Sequence, residues 1–205
     1  MFSMWEGKEI MEYSQYVKYQ TEGPGMIKKP LRYRTGERRA IDWFFQDIPK
    51  HHSILDIGCG TGVGIRHLRS MGYINLRGIE LNFKKVEICK RRGLSVFMGD
   101  AETIRFPTKF DVIWSSHSFE HMLHPNLVMQ NLLASVKPFA YFFFILPYVD
   151  TGPKEVHCAS DEIGTRIDDK GASVINWFSV RGLKVIETKF DNFRENEIWL
   201  KMQKA

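Results

Sequence analysis

The chain has 205 residues, 43% of them apolar and 26% charged, with 29 Lys and Arg against 24 Asp and Glu for a formal charge of +5. These values exclude a disordered or collagen-like chain, and a core of this size buries about 70% of the unfolded surface without disulfide staples. The apolar run Tyr141–Leu146 falls far short of the roughly 20 residues of a membrane span, and no apolar leader core is visible. Cys59, Cys89 and Cys158 lack metal-ligand spacing, so the expectation is a soluble, cytoplasmic protein with reduced thiols and no membrane partner.

In chain order, residues 1–50 stand apart. Tyr13, Tyr16 and Tyr19 recur every third residue, and Glu37–Gln46 (ERRAIDWFFQ) has the pattern of a helix. The breaker-rich stretch Glu22–Pro30 joins the two. So short a segment makes a poor independent core, which predicts a helical extension packed on a domain over 51–205. From there β-rich runs alternate with amphipathic stretches. Strands are expected at Ser53–Ile57, Leu76–Ile79, Ser95–Met98, Val112–Ser115, Tyr141–Leu146, Leu183–Thr188 and Ile198–Met202. Helices are expected near 63–71, 83–92, 126–136 and 170–181. This alternation predicts an α/β fold, a mostly parallel sheet with helices on both faces. The connection Lys189–Glu197 is too short for a parallel crossover, so the last two strands should pair antiparallel. The irregular stretch 147–170 retains Tyr148, Val149 and Ile163 and is expected to be an ordered lid or substrate wall.

The most informative segment is Ser53–Gly64, SILDIGCGTGVG, a buried strand that runs into Gly58, Gly60 and Gly62 and then a helix. Glycine permits the φ values of a tight strand-to-helix turn and lets a ligand approach the backbone. The dinucleotide fingerprint fails, because its third glycine falls on Val63 or Ile65, and no Gly-Lys-Ser/Thr follows for a P-loop. Asp56, entering the turn, is unfavourable beside a pyrophosphate and suits a ligand ammonium group, such as that of S-adenosylmethionine. Glu80 ends the next strand, where a side chain can accept both hydroxyls of a ribose. Asp100 follows the third strand and can receive an adenine amino group, while Phe110–Ser115 borders the crevice where strand order reverses.

These residues together resemble the class I S-adenosylmethionine-dependent methyltransferases, specifically the small type 11-like group. The resemblance covers residues 50–146 by motif and 147–205 by strand pattern. It implies S-adenosylmethionine as cofactor and a Rossmann-like three-layer sandwich whose seven strands run 3-2-1-4-5-7-6 with the seventh antiparallel. It also implies a cofactor site of Asp56, Gly58, Cys59, Gly60, Gly62, Glu80, Leu81, Asp100, Ala101 and Ser115. His117-Ser-Phe-Glu-His121 is similar to the family's stretch at the active-site mouth. Val136-Lys137-Pro138 resembles its Leu-Lys-Pro-Gly-Gly turn, with Phe139-Ala140 in place of the glycines.

A methyl group on a sulfonium is already activated, so transfer needs mainly an in-line acceptor, and a general base where that acceptor carries a proton. His117, His121, His157, Asp150 and Tyr148 are candidates, and His117 or His121 is expected to deprotonate or orient the acceptor. The i, i+4, i+7 spacing of His117, His121 and His124 could serve a metal, but Pro125 argues against a long helix there and no metal is expected. The motifs of exocyclic-amine and cytosine-carbon methyltransferases are absent after the fourth strand, which favours an oxygen or nitrogen of a small molecule as acceptor. An RNA or protein substrate stays open, because basic residues cluster between Lys18 and Arg39 and again at Lys84, Lys85, Lys90, Arg91 and Arg92. A non-catalytic binding module with the same turn is the other alternative.

Overall fold

The computed structural model describes residues 2–5, 8–22 and 30–205, with side chains from Glu12 onward. Most of the connection expected between Glu22 and Pro30 lies outside the described residues. The N-terminal extension holds strands as well as helices: β1 (Phe2–Trp5) pairs antiparallel with β2 (Lys8–Met11) ahead of α1 (Tyr13–Glu22) and α2 (Leu31–Phe44). The rest follows as β3 (Ile54–Ile57), α3 (Val63–Ser70), β4 (Leu76–Glu80), α4 (Phe83–Arg91), β5 (Val96–Met98) and β6 (Phe110–Ser116). A single 3-10 turn at Phe119–His121 leads to α5 (Pro125–Ala134), β7 (Val136–Pro147), α6 (Ser160–Ile163), α7 (Ala172–Ser179), β8 (Leu183–Asp191) and β9 (Glu197–Lys204).

The main sheet has seven strands in the order β5-β4-β3-β6-β7-β9-β8, parallel except for β9, which is antiparallel to both its neighbours. Counted from β3, this is the expected order 3-2-1-4-5-7-6. The central strand β3 is buried at every position, as a strand covered on both faces must be. Side chains of successive strand residues point to opposite faces, and the aromatic run of β7 shows it. Phe142 and Phe144 pack with Leu55, Ile57 and Ile113 under α5 and α7, while Phe143 and Ile145 pack with Ile54 and Trp114 under α2 and α3. On that second face Phe44 lies 5.1 Å from Phe143 and 5.4 Å from Trp114 between ring centroids. Full burial of such a side chain stabilises by about 1.5–3 kcal/mol, so α2 is bound into the sheet's core rather than resting on its surface.

Where the resemblance places two glycines, β7 is already under way. Phe139 adopts a left-handed φ of 59° and the ladder with β6 shifts register nearby. A tight turn is therefore replaced by an irregularity inside a strand that begins earlier than Tyr141. The order of strands reverses between β3 and β6, so the segments that leave their carboxyl ends face one crevice.

Candidate active site

That crevice holds a cavity of about 430 Å³, within the roughly 300–1,000 Å³ of small-molecule sites. One group of lining residues is Gly58, Gly60, Glu80, Leu81, Asp100 and Ala101; a second is His117, Ser118, Glu120, His121 and His157. Tyr16 and Tyr19 of α1 also line the cavity.

The glycine turn explains the first group. Gly58 has φ +67°, and a Cβ built on it would lie 2.4 Å from the Cβ of Ser118, so only glycine fits both conformation and space. The amides of Gly58 and Cys59 donate to the Ile79 carbonyl at 2.9 and 3.1 Å, tying the turn to β4. Glu80, 8% exposed, accepts from the Gly60 amide through Oε2 and from the Asn82 amide through Oε1, each at 2.9 Å. A carboxylate oxygen accepts more than one hydrogen bond, so this carboxylate is held rigid with acceptor capacity left for a diol at the cavity wall. Asp100 accepts the Glu102 amide at 2.8 Å on Oδ1 and the Tyr13 hydroxyl on Oδ2. The same helix α1 is tied down at its other end, where the Asn82 amide group donates to the Thr21 carbonyl at 2.9 Å. Burial raises the pKa of Tyr13 and Tyr16, so both hydroxyls stay protonated.

Four residues expected at this site do not line the cavity. Asp56 lies behind the turn, its Oδ2 close to Gly64 together with Glu37 and Trp114. Cys59 points its sulfur at Gly78, and a hydrogen bond with Cys89 followed by burial raises its pKa, which leaves an unreactive thiol. Gly62 provides the left-handed N-cap of α3. Ser115 is fully buried and bonds to Ser118 at 2.9 Å, while Ser118 reaches the Ile57 carbonyl at 2.7 Å and faces the cavity in its place.

The second group draws on three distant segments. His117, at φ 50°, has Nε2 3.0 Å from Glu197 and Nδ1 3.2 Å from Glu195 and 3.4 Å from Glu120. Burial disfavours the imidazolium, but hydrogen bonds with Glu120 and Glu197 outweigh it and the pKa is raised. Glu197 also accepts Arg194 on both oxygens, at 2.6 and 3.1 Å, and Trp199 Nε1 at 2.7 Å. His121 Nδ1 lies 2.8 Å from the Val156 carbonyl, which can only accept, so Nδ1 carries the proton and Nε2 is left with a lone pair. Burial lowers the pKa of His121, against the weaker pull of Glu120. His157 Nδ1 contacts Asp150 at 2.8 Å, and Asp150 also accepts from Ser160 and the Gly152 amide. Burial would raise Asp150, but these hydrogen bonds dominate and hold its pKa at about 2. The 147–170 stretch is thus ordered around Asp150 and carries Val156 and His157 to the cavity.

Some expected participants go elsewhere. His124 turns to Glu102 at 2.7 Å, so the three-histidine face does not form on the short 3-10 turn. Tyr148 bonds Asp168 at 3.1 Å and does not reach the cavity. In the basic segment, Arg32 donates to the Phe193 carbonyl and Arg39 sits 3.7 Å from Asp191, while Lys28 and Lys29 lie outside the described residues. Arg194 and Glu195 line the cavity but occupy a loop whose sequence carries no motif, so only a tertiary contact could have singled them out. Glu120 lies in the stretch that resembles the family's active-site mouth, although the histidines on either side of it are the expected participants.

A parallel sheet with one reversed strand, a glycine turn under a carboxylate, and a cavity at the switch point define a nucleoside-cofactor-binding α/β protein. Known proteins narrow the class. A methyltransferase-domain family profile matches residues 31–191, and the chain belongs to the class I S-adenosylmethionine-dependent methyltransferases. It is 33% identical over 91 residues to the malonyl-(acyl-carrier protein) O-methyltransferase of Calditerrivibrio nitroreducens, a match covering 44% of this chain and 36% of that protein. Its match to the ubiquinone biosynthesis O-methyltransferase of Paraburkholderia phytofirmans is 27% over 100 residues, 45% of this chain and 43% of that one. The matched region therefore spans less than half the length of these relatives. In structure it is similar to the magnesium protoporphyrin IX methyltransferase of Synechocystis PCC 6803 solved with bound SAH. The TM-score is 0.65 at 12% identity, over 97% of this chain and 90% of that one.

Proposed function

We propose that this protein transfers a methyl group from S-adenosylmethionine to an oxygen or nitrogen of a small-molecule acceptor. One observation carries the reading: a single cavity joins two anchored carboxylates, Glu80 and Asp100, to a histidine whose Nε2 bears a lone pair. When bound, S-adenosylmethionine supplies the activated methyl group. The chain's own fit to it is the Cβ-free wall at Gly58 and Gly60 and the residual acceptor capacity of Glu80. In this reading Glu80 holds the ribose, Asp100 with Ala101 the adenine, and Gly58, Gly60 and Leu81 the rest. Asp56, Cys59 and Gly62 build the turn from behind, and Ser115 of β6 bonds to Ser118, which reaches the Ile57 carbonyl beside it.

The acceptor is assigned to the His117–Glu120–His121–His157 wall. His117 is flanked by carboxylates and orients, while Nε2 of His121 takes the acceptor's proton where there is one. The O-methyltransferase relatives support an oxygen. Among the described residues no helix is long and apolar enough to cross a membrane. Calorimetric titration with S-adenosylmethionine, with NADH in parallel, tests the cofactor, and micromolar binding of the first alone is expected. A screen of metabolite pools for methyl transfer then tests the acceptor. Wild-type turnover in the double variant His117→Ala/His121→Ala would remove both histidines from the chemistry.

A further inference from the structure

Glu120, His121 and His157 each place one donor atom within 4.8 Å of the others, and His121 Nε2 stands 3.9 Å from Glu120 Oε1. Both imidazoles are aimed from behind. His121 gives its Nδ1 proton to the Val156 carbonyl and His157 gives its own to Asp150, each at 2.8 Å, which leaves Nε2 of both as the donor atoms. Metal-ligating histidines are held in this way, with the outer N–H fixed on a carbonyl or carboxylate. Glu120 is 1% exposed, lines the cavity, and its Oε2 receives no hydrogen bond among the described residues. A buried carboxylate oxygen without a donor is costly, and a cation would relieve that cost.

The adjoining set His117, Glu195 and Glu197 is as close-set, but a different case. Both oxygens of Glu197 already accept Arg194, and a cation there would meet the guanidinium.

We propose that Glu120, His121 and His157 bind one divalent transition-metal ion of the zinc, cobalt or manganese class, with open coordination toward the cavity. Two imidazoles and one carboxylate suit these ions better than magnesium or calcium, which take oxygen ligands. Bonds of about 2.0–2.2 Å put tetrahedral ligand atoms about 3.4 Å apart, so the set closes by about 1 Å on binding, within reach of side-chain rotation. The site differs from the three-histidine face weighed on sequence, since His157 arrives from a segment 36 residues beyond His121. Placing an acceptor oxygen on the ion rests on the proposed methyl transfer; the ion site itself does not. The ion and a general-base role use the same Nε2 lone pair of His121, so in the metal-loaded protein the acceptor oxygen would be held by the ion instead.

The test is titration of the full chain, stripped with chelator, with Co²⁺ followed by visible absorption, and with Zn²⁺ by calorimetry. One ion per chain is expected, with the absorption of four- or five-coordinate cobalt. His157→Ala and Glu120→Gln should each weaken Co²⁺ binding at least ~10-fold, as changes at metal-site shells do, and Glu195→Gln should not. Should His157→Ala fail to fold, histidine modification of wild-type protein serves in its place: Zn²⁺ should protect His121 and His157 but not the exposed His51. No binding tighter than about 1 mM to wild type, or loss with Glu195→Gln but not with Glu120→Gln, overturns the proposal. S-adenosylmethionine titrations of the same samples keep the two readings separable, since cofactor binding without metal sinks only the ion site and metal without cofactor only the methyl transfer.

Discussion

The two walls of the cavity are built on opposite principles. The cofactor wall is held mainly by the backbone. Glu80 is fixed by the amides of Gly60 and Asn82, and Asp100 by the amide of Glu102, with the Tyr13 hydroxyl on its second oxygen. The acceptor wall is assembled from afar. His117 meets Glu197 across 80 residues, Arg194 reaches Ser116 across 78, and His121 meets the Val156 carbonyl across 35. Backbone donors cannot be mutated away, whereas a network of buried charged side chains fails when one member is lost. Damage to the acceptor wall should therefore cost stability, and damage to the cofactor wall should cost affinity.

The largest effect is expected from Arg194→Met. It leaves Glu197 buried with Arg194 gone, and breaking a buried pair typically costs about 3–5 kcal/mol. Urea unfolding would read this, and a loss below about 1 kcal/mol would remove the contrast between the walls.

Acid should expose the same network next. Burial would raise the Glu197 pKa, but bonds from His117 and Arg194 outweigh it and hold it at about 2, below its ordinary 4.5. A depressed folded pKa means the unfolded chain binds the proton first. The stabilisation is therefore complete above about pH 4.5 and is lost as pH falls toward 2, a contribution of about 3 kcal/mol. Melting temperatures from pH 6 to 3 should drop more steeply for wild type than for Glu197→Gln, and parallel curves would refute the assignment.

At the cofactor wall Glu80→Ala should weaken S-adenosylmethionine binding by about 1.5–3 kcal/mol, the usual worth of hydrogen bonds to a charged group. Calorimetry of this variant with unchanged affinity would take Glu80 out of the site. The smallest effect is assigned to Tyr13→Phe. The Tyr13 hydroxyl occupies Asp100 Oδ2, which the adenine amino group would have to share. Removing it should tighten cofactor binding by about 0.5–1 kcal/mol. Weaker binding would instead make Tyr13 a direct cofactor contact.

This contrast also explains what was legible beforehand. The strands, the antiparallel last pair, the glycine turn and the carboxylates at strand ends are encoded within a few neighbouring residues, by apolar alternation, turn chemistry and spacing, whereas the order of the strands is implied by the family resemblance. The run Tyr141–Leu146 even splits its aromatics between the two faces by alternation alone. Where each side chain points was another matter. Asp56, Cys59 and Gly62 of the glycine turn and its entry, and Ser115 at the end of β6, face the protein interior, because a residue's neighbours in sequence do not define which side of a turn or strand end opens to the crevice.

The sequence by itself determined the strands, the helices, the cofactor turn and the placing of Glu80 and Asp100 at strand ends, since each depends on local conformational preference and on which face is buried. Only the tertiary structure decided the rest: α1 closing over Asp100, Glu197 pairing with Arg194 and His117, and Glu120 and His121 meeting His157. Those contacts depend on how long loops return to the sheet edge, and no periodicity or spacing along the chain records that.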